Sequence, residues 1–317
     1  MGQKGKGKRM KYEEFKEELL KELRTYILLH EEHPEEYIIE DIGKYYQNNM
    51  EKDSICVRRA GDCIGKCIYP EAEYEEYRSG RTIQEIVKNW PGWRIEPPEN
   101  YKKAAEEIEK GWEQMKEKIM IRLIHVDQNK HLLQRVPWRE LEHTDLGIMY
   151  QIMIDADSGM AVTRLIAKMW DVTEEELYQT AYQNLQEEEC VFSAGELIPG
   201  PEGPQMRETE PLKTEGFLYN PELWYTVYAN RQFGAAAILN RKVMKGVESF
   251  FGRKFFLFPL SMDRMMLIHE ADYMLREKTL VYLRERQKEG VDVEYDLSNS
   301  MYVWEEGSIS LSGQKED

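Results

Sequence analysis

The sequence predicts an α+β fold in which mixed, largely antiparallel sheets are flanked by amphipathic helices. Three observations predict it. Apolar residues recur at three- and four-residue steps from Tyr12 through Phe15, Leu19 and Leu23 to Tyr26 and Ile27, one stripe of an amphipathic helix. Short apolar runs such as KIMIRLIHV and KFFLFP read as strands bounded by turn residues. No repeat of fixed period is visible.

Taken in order, the first helix runs from Met10 to near His30, with Pro34 blocking its continuation. SICVRRAGDCIGKCIY then folds as a hairpin around a two-residue Gly61–Asp62 loop. That register sets Val57 opposite Lys66 and Cys56 opposite Cys67. Ile55, Val57, Ile64 and Ile68 share a core face, while Cys56, Arg58, Cys63, Cys67 and Tyr69 share the other, which suits later covering by a helix. Two short helices, EAEYEEYRSG and TIQEIVKNW, are broken by Gly80 and Pro91. A charged helix over Glu99–Glu117 leads into the strand KIMIRLIHV.

TDLGIMYQIMIDADSGMAVTRLI reads as strand, turn, strand, with Asp155, Asp157 and Gly159 in the turn. Thr173 and Glu176 then form a capping box flanked by a Val172–Leu177 staple, which starts a helix through about Gln186. Farther on, LWYTVYAN, FGAAAIL, KFFLFP and RMMLIHE read as strands. Asn240–Phe251 reads as a helix with Val243, Met244, Val247, Phe250 and Phe251 inward and Gly252 as its stop. A charged helix over about Asp272–Lys288 and a closing hairpin, NSMYVWEEGSISL, complete the chain.

Composition divides the sequence into a disordered basic tail (1–9), an N-terminal α+β region (10–192), a Pro/Gly-rich loop or linker (193–216) and a C-terminal α+β region (217–312). Residues 193–222 hold five of the twelve prolines and four glycines, which makes this stretch the best boundary.

Apolar residues at 41% and charged residues at 32% indicate a globular chain. No apolar run approaches the ~18 residues that span a bilayer, and no apolar leader opens the sequence, so a cytoplasmic protein with reduced thiols is expected. Net charge is −16, and the four basic groups of the first nine residues leave the remainder near −20. Such a surface repels phosphate backbones, so nucleic acid is an unexpected partner beyond contact through residues 4–11.

Each candidate for chemistry has a plainer explanation. GQKGKGKR places Gly2, Gly7 and Lys8 as in a P-loop, but Arg9 stands where Ser or Thr must hold magnesium. HEEH at 30–33 lacks the four-residue spacing of a zinc helix. Cys63 and Cys67 on one strand stand ~13 Å apart, too far for one zinc with ~2.3 Å sulfur bonds. A Cys56–Cys67 disulfide is geometrically allowed, but a reducing compartment favours free thiols. Asp155, Asp157, Ser158 and Gly159 begin like a calcium loop but lack its later ligands. His125, His131 and His143 fall in one region without ligand spacing. The sequence thus assigns no catalytic residue, no cofactor or cofactor-binding residue and no metal ligand.

Five segments carry a resemblance across nearly the whole chain: YPEAEYEEYRSGRTIQEI, DLGIMYQIMI, WDVTEEELYQTAYQNL, FGAAAILN and FFLFPLSMDRMMLI. Their order resembles an uncharacterised family, a domain of unknown function of about this chain's length, common in anaerobic Gram-positive (clostridial) bacteria. Each segment is a packing pattern, so the resemblance implies a fold and a bacterial lineage and no activity. Members tend to carry Pro-Ser-Ser and, one residue on, His-Glu; here Pro259 and Ser261 remain while Leu260, Asp263 and Arg264 depart. The expectation is a structural corner.

Two functional readings follow. The favoured one is a non-enzymatic cytoplasmic protein that acts by contacting another protein, as an interaction or accessory protein. The alternative is an enzyme whose site is assembled from scattered residues, with Cys56, Cys67 or a carboxylate supplying the chemistry.

Overall fold

The computed structural model describes residues 10–48, 50–60, 65–90, 98–156, 158–198, 205–211, 219–272, 281 and 296–312. Its contacts divide the chain into two units, one of Met1–Tyr46 with Met50–Glu109 and one of Gln47–Asn49 with Lys110–Asp317.

Unit 1 begins with α1 (Tyr12–His30), followed by β1 (Tyr37–Gln47), β2 (Met50–Arg59), β3 (Lys66–Ile68), α2 (Glu71–Ser79), α3 (Ile83–Asn89) and α4 (Glu99–Glu109). The predicted stripe of α1 is its buried face: Phe15, Leu19, Leu23 and Ile27 pack with Ile55, Val57 and Ile68 of the sheet and with Ile83, Ile86 and Val87 of α3. Each such side chain contributes about 1.5–3 kcal/mol by leaving water. β2 and β3 pair with Val57 opposite Lys66 and Cys56 opposite Cys67, as the sequence requires; the loop at 61–64 lies outside the described residues. Lys16 reaches off the α1 stripe to the carboxylates of Asp53 (2.9 Å) and Asp41 (3.0 Å), which ties the helix to β2 and β1.

Unit 2 contains α5 (Trp112–Met115), β4 (Ile119–His125), α6 (Lys130–Leu133), β5 (Trp138–Glu140), β6 (Leu146–Asp155), β7 (Ser158–Ala161), α7 (Arg164–Met169) and α8 (Glu174–Glu187). It continues with β8 (Cys190–Ile198), β9 (Gln205–Pro211), β10 (Trp224–Ala229), α9 (Arg241–Phe251), β11 (Lys254–Ser261), β12 (Arg264–His269), β13 (Tyr302–Glu305) and β14 (Ser308–Leu311). A four-stranded sheet has β6 between β4 on one side and β5 and β7 on the other; a seven-stranded sheet runs β14-β13-β11-β12-β10-β8-β9. The strand pairings of both sheets are antiparallel. The fold class is therefore α+β.

Several local expectations change. The charged helix stops at Glu109 because Gly111 takes φ +102, and a separate turn of helix follows. FGAAAIL is a 3₁₀ segment, Gly234–Leu239, and not a strand. Its small side chains give no periodicity to separate the two states, and its packing decides the outcome. A Cβ on Gly234 would lie 2.2 Å from the Ala229 carbonyl oxygen and 2.8 Å from that of Asp263. Segment 193–216 carries strand at 193–198 and 205–211. The long strand β1 has no counterpart among the elements that the sequence predicts. The expected helix over 272–288 lies almost entirely outside the described residues, as does the basic tail.

The capping box of α8 forms as read, with the Thr173 hydroxyl accepting from Glu176 N–H at 3.2 Å and Glu176 Oε2 accepting from Thr173 N–H at 2.7 Å. Asn240 caps α9 by accepting from the N–H groups of Lys242 (2.9 Å) and Val243 (3.1 Å). Gly234→Ala should destabilise unit 2 by about 2 kcal/mol or more, because backbone must move to admit the methyl group. Urea denaturation read by far-ultraviolet circular dichroism checks this; an unchanged midpoint contradicts it.

Candidate functional site

Unit 2 contains a cleft of about 440 Å³ between α8, the start of α9, β5 with its following loop, and the β13–β14 hairpin. Helical spacing builds its first wall. Tyr178 and Tyr182 stand one turn apart on α8, just off the core stripe of Leu177, Ala181 and Leu185, and their rings stack at 5.6 Å. The Arg139 guanidinium lies 3.7 Å from the Tyr178 ring centre, and that of Arg241 lies 5.6 Å from the Tyr182 ring centre. Trp304 supplies a further aromatic face. Its indole N–H donates to Glu248 at 2.8 Å, and its ring stacks on Phe255 at 5.8 Å.

The two arginines differ in what they have left to offer. Arg139 forms a two-point pair with Glu174 (2.9 and 2.7 Å) and a further bond to Glu175 (2.6 Å). The Tyr150 hydroxyl also donates to Glu174. Burial opposes ionisation of Glu174, but Arg139 and Tyr150 outweigh it and hold the carboxyl below its ordinary value. Both carboxylates sit in the first turn of α8, where the helix dipole favours negative charge. Arg139 is thus committed. Arg241, exposed at the cleft, has no ion-pair partner among the described residues.

Beside the cleft, one carboxylate fixes the hairpin that forms its far wall. Asp145 accepts from Ser298 (3.0 Å), Ser300 (2.6 Å) and Tyr302, and His125 Nε2 lies 3.3 Å away. His125 Nδ1 accepts from the Gln128 N–H at 3.3 Å, which leaves the proton on Nε2 to point at Asp145. Burial pushes the Asp145 carboxyl up, but His125, Ser300 and Tyr302 outweigh it and hold it far below the usual carboxylate range. Serine, histidine and aspartate meet here, yet not as a nucleophile relay. The hydroxyls bond the carboxylate and not the imidazole, so His125 has no serine proton to take.

The remaining candidates have structural roles. Cys56 is half-buried and Cys67, on the edge strand β3, is exposed; the expected cover is not found over Cys67 among the described residues. Cys63 and Asp157 lie outside the described residues. Burial, and then Cys67 beside it, pushes the Cys56 thiol up, while burial and Glu188 push Cys190 up to about 12. His30 stacks on Tyr26 at 4.1 Å and bonds its carbonyl, while His33 pairs with Glu35 at 3.5 Å. His143 lines the cleft in a left-handed conformation, and His131 lies on α6. Ser158 and Gly159 open β7, where Ser158 opposes Asp155. In the 259–264 corner, Asp263 accepts from Phe233 N–H at 2.6 Å, Ser261 accepts from Asp263 N–H at 3.1 Å, and Arg264 covers Tyr228 at 4.1 Å. No group of three or more His, Cys, Asp or Glu among the described residues is placed to hold a metal ion, and no described helix is long and apolar enough to cross a membrane.

Sequence reasoning missed Arg139, Arg241 and the Tyr178–Tyr182 pair. The tyrosine spacing on a helix marked by its own capping box was the available signal; the arginines meet it only through tertiary folding.

Compared with known proteins, residues 12–306 match the sequence model of a family of unknown function, DUF5688. No curated protein and no solved structure matches.

Asp145→Asn should cost about 2 kcal/mol at neutral pH by weakening a part-buried set of charge-assisted bonds. Because the folded carboxyl is held below its unfolded value near 4, the deficit is full above about pH 4 and shrinks as pH falls toward the folded value. Denaturation of both chains between pH 7 and pH 3 measures it; a gap that widens in acid contradicts the account. At neutral pH, timed iodoacetamide labelling followed by peptide mass spectrometry should modify Cys67 before Cys56 and Cys190. The reverse order contradicts the stated burial.

Proposed function

We propose, from the premise that the chain belongs to the DUF5688 family of unknown function, that it is a non-enzymatic cytoplasmic protein that acts by binding another protein through the unit 2 cleft. One observation carries this reading: the cleft offers an uncommitted arginine and aromatic faces, the residue types that dominate binding energy at protein interfaces. Its volume falls within the ~300–1000 Å³ of ligand-binding recesses. Net charge of −16 disfavours nucleic acid, and the described cysteines are free thiols, in keeping with a reducing compartment.

The enzymatic alternative draws less support. Cys56 and Cys190 are pushed toward the protonated, unreactive form, and His125 is turned toward a carboxylate and not toward a nucleophile.

Quantitative affinity capture from native lysate tests the reading, with wild-type and Arg241→Glu/Tyr182→Ala chains as baits of equal fold content. At least one captured protein should fall by about tenfold or more with the variant. An identical set with both baits contradicts binding through the cleft.

A further inference from the structure

Opposed residues of an antiparallel pair share a face, with α-carbons about 4.5–5.5 Å apart, inside the ~4.4–6.8 Å that a disulfide spans. In unit 1, β2 and β3 place Cys56 directly opposite Cys67, between the Ile55–Ile68 and Val57–Lys66 pairs. Burial, and then Cys67 by charge and by hydrogen bonding, pushes the Cys56 thiol up, so the two sulfurs are neighbours. Gly65 leaves the Cys56 thiol its space: a Cβ there would lie 2.2 Å from Cys56 Sγ. That sulfur therefore leans across the ladder toward the chain that carries Cys67. Cys190, by contrast, lies opposite Ala229. The paired thiols also differ in access. Cys67 is exposed on an edge strand of three residues, while Cys56 is half-buried. An accessible thiol beside a shielded one within its reach is the arrangement of a sensing and a resolving cysteine.

We propose that Cys56 and Cys67 form a reversible, peroxide-responsive disulfide that locks the edge strand β3 to β2. The Cys67 thiolate attacks an oxygen of hydrogen peroxide. A sulfur–oxygen bond forms, the oxygen–oxygen bond breaks, and the released hydroxide takes a proton and leaves as water. Cys67 is then a sulfenic acid. Cys56 gives up its proton and attacks that sulfur; the sulfur–sulfur bond replaces the sulfur–oxygen bond, and a second water leaves. Two thiols have lost two electrons, and one peroxide has become two waters. Two low-molecular-weight thiols restore the reduced pair by exchange and become a disulfide themselves. A reducing compartment keeps such a pair open at rest, and an exposed disulfide is the labile kind. The switch lies in unit 1 and does not depend on the unit 2 cleft.

The test exposes the reduced full chain to a slight excess of hydrogen peroxide, blocks it with iodoacetamide and digests it with trypsin without reduction. Cleavage after Lys52, Arg58, Arg59 and Lys66 puts Cys56, Cys63 and Cys67 on separate peptides. The peptides of Cys56 and Cys67 should be recovered joined, and glutathione should separate them. Amide exchange over 55–57 and 66–68 should be slower in the oxidised chain by about tenfold or more. With Cys56→Ser, Cys67 should accumulate as a sulfenic acid that dimedone traps. With Cys67→Ser, oxidation of Cys56 should be slower by about tenfold or more. A link from either residue to Cys63 in place of the pair, or a Cys67–Cys67 link between two chains, overturns the proposal. So does a Cys56–Cys67 link that forms only in urea, or a wild-type Cys67 that stays unlinked and runs on to sulfinic acid.

Discussion

Asp145 determines where the cleft's far wall stands. Its carboxylate sits in the turn before β6 and draws on Ser298, Ser300 and Tyr302, while His125 approaches from the end of β4. The Ser298 hydroxyl also accepts from the Ser300 N–H at 3.0 Å, a local turn that brings both serines to the carboxylate just before β13. Tyr302 is also the first residue of β13. One anion in the four-stranded sheet thus holds the entry to the closing hairpin of the seven-stranded sheet, and Ser298 and Tyr302 are buried beside it. Buried donors left without an acceptor cost far more than an ordinary bond contributes, which makes the arrangement close to obligatory.

With that wall placed, the cleft's electrostatics follow from α8. Its first turn carries Glu174, Glu175 and Glu176, and all three are engaged. Glu176 closes the capping box, while the other two hold Arg139 over Tyr178. Neutralising one arginine leaves Arg241 as the cleft's open cation in a strongly acidic chain. The same logic explains the 259–264 corner. Asp263 anchors Phe233 at the start of the 3₁₀ segment, and Gly234 is required because backbone oxygens crowd it from two sides. Residues that a motif search would examine for chemistry serve here to set backbone position.

Legibility tracked the range of the interactions. α1, α8, α9, the Cys56–Cys67 register and the final hairpin all rest on local signals: apolar stripes, a capping box, a Gly stop, and turn residues between alternating runs. β1, β8 and β9 were opaque because their strand state comes from pairing and not from pattern. FGAAAIL misled because a short run of small residues carries no period. The cleft was hidden for the same reason: Arg139, Arg241 and Trp304 are far apart in sequence and meet only through the two sheets.

Amide hydrogen exchange, compared between the wild-type and Asp145→Asn chains, tests most directly whether one carboxylate positions the hairpin. The account predicts faster exchange concentrated in β13 and β14, with the β4–β6 ladder keeping its protection. Acceleration spread evenly over both sheets, or none in β13 and β14, would contradict it.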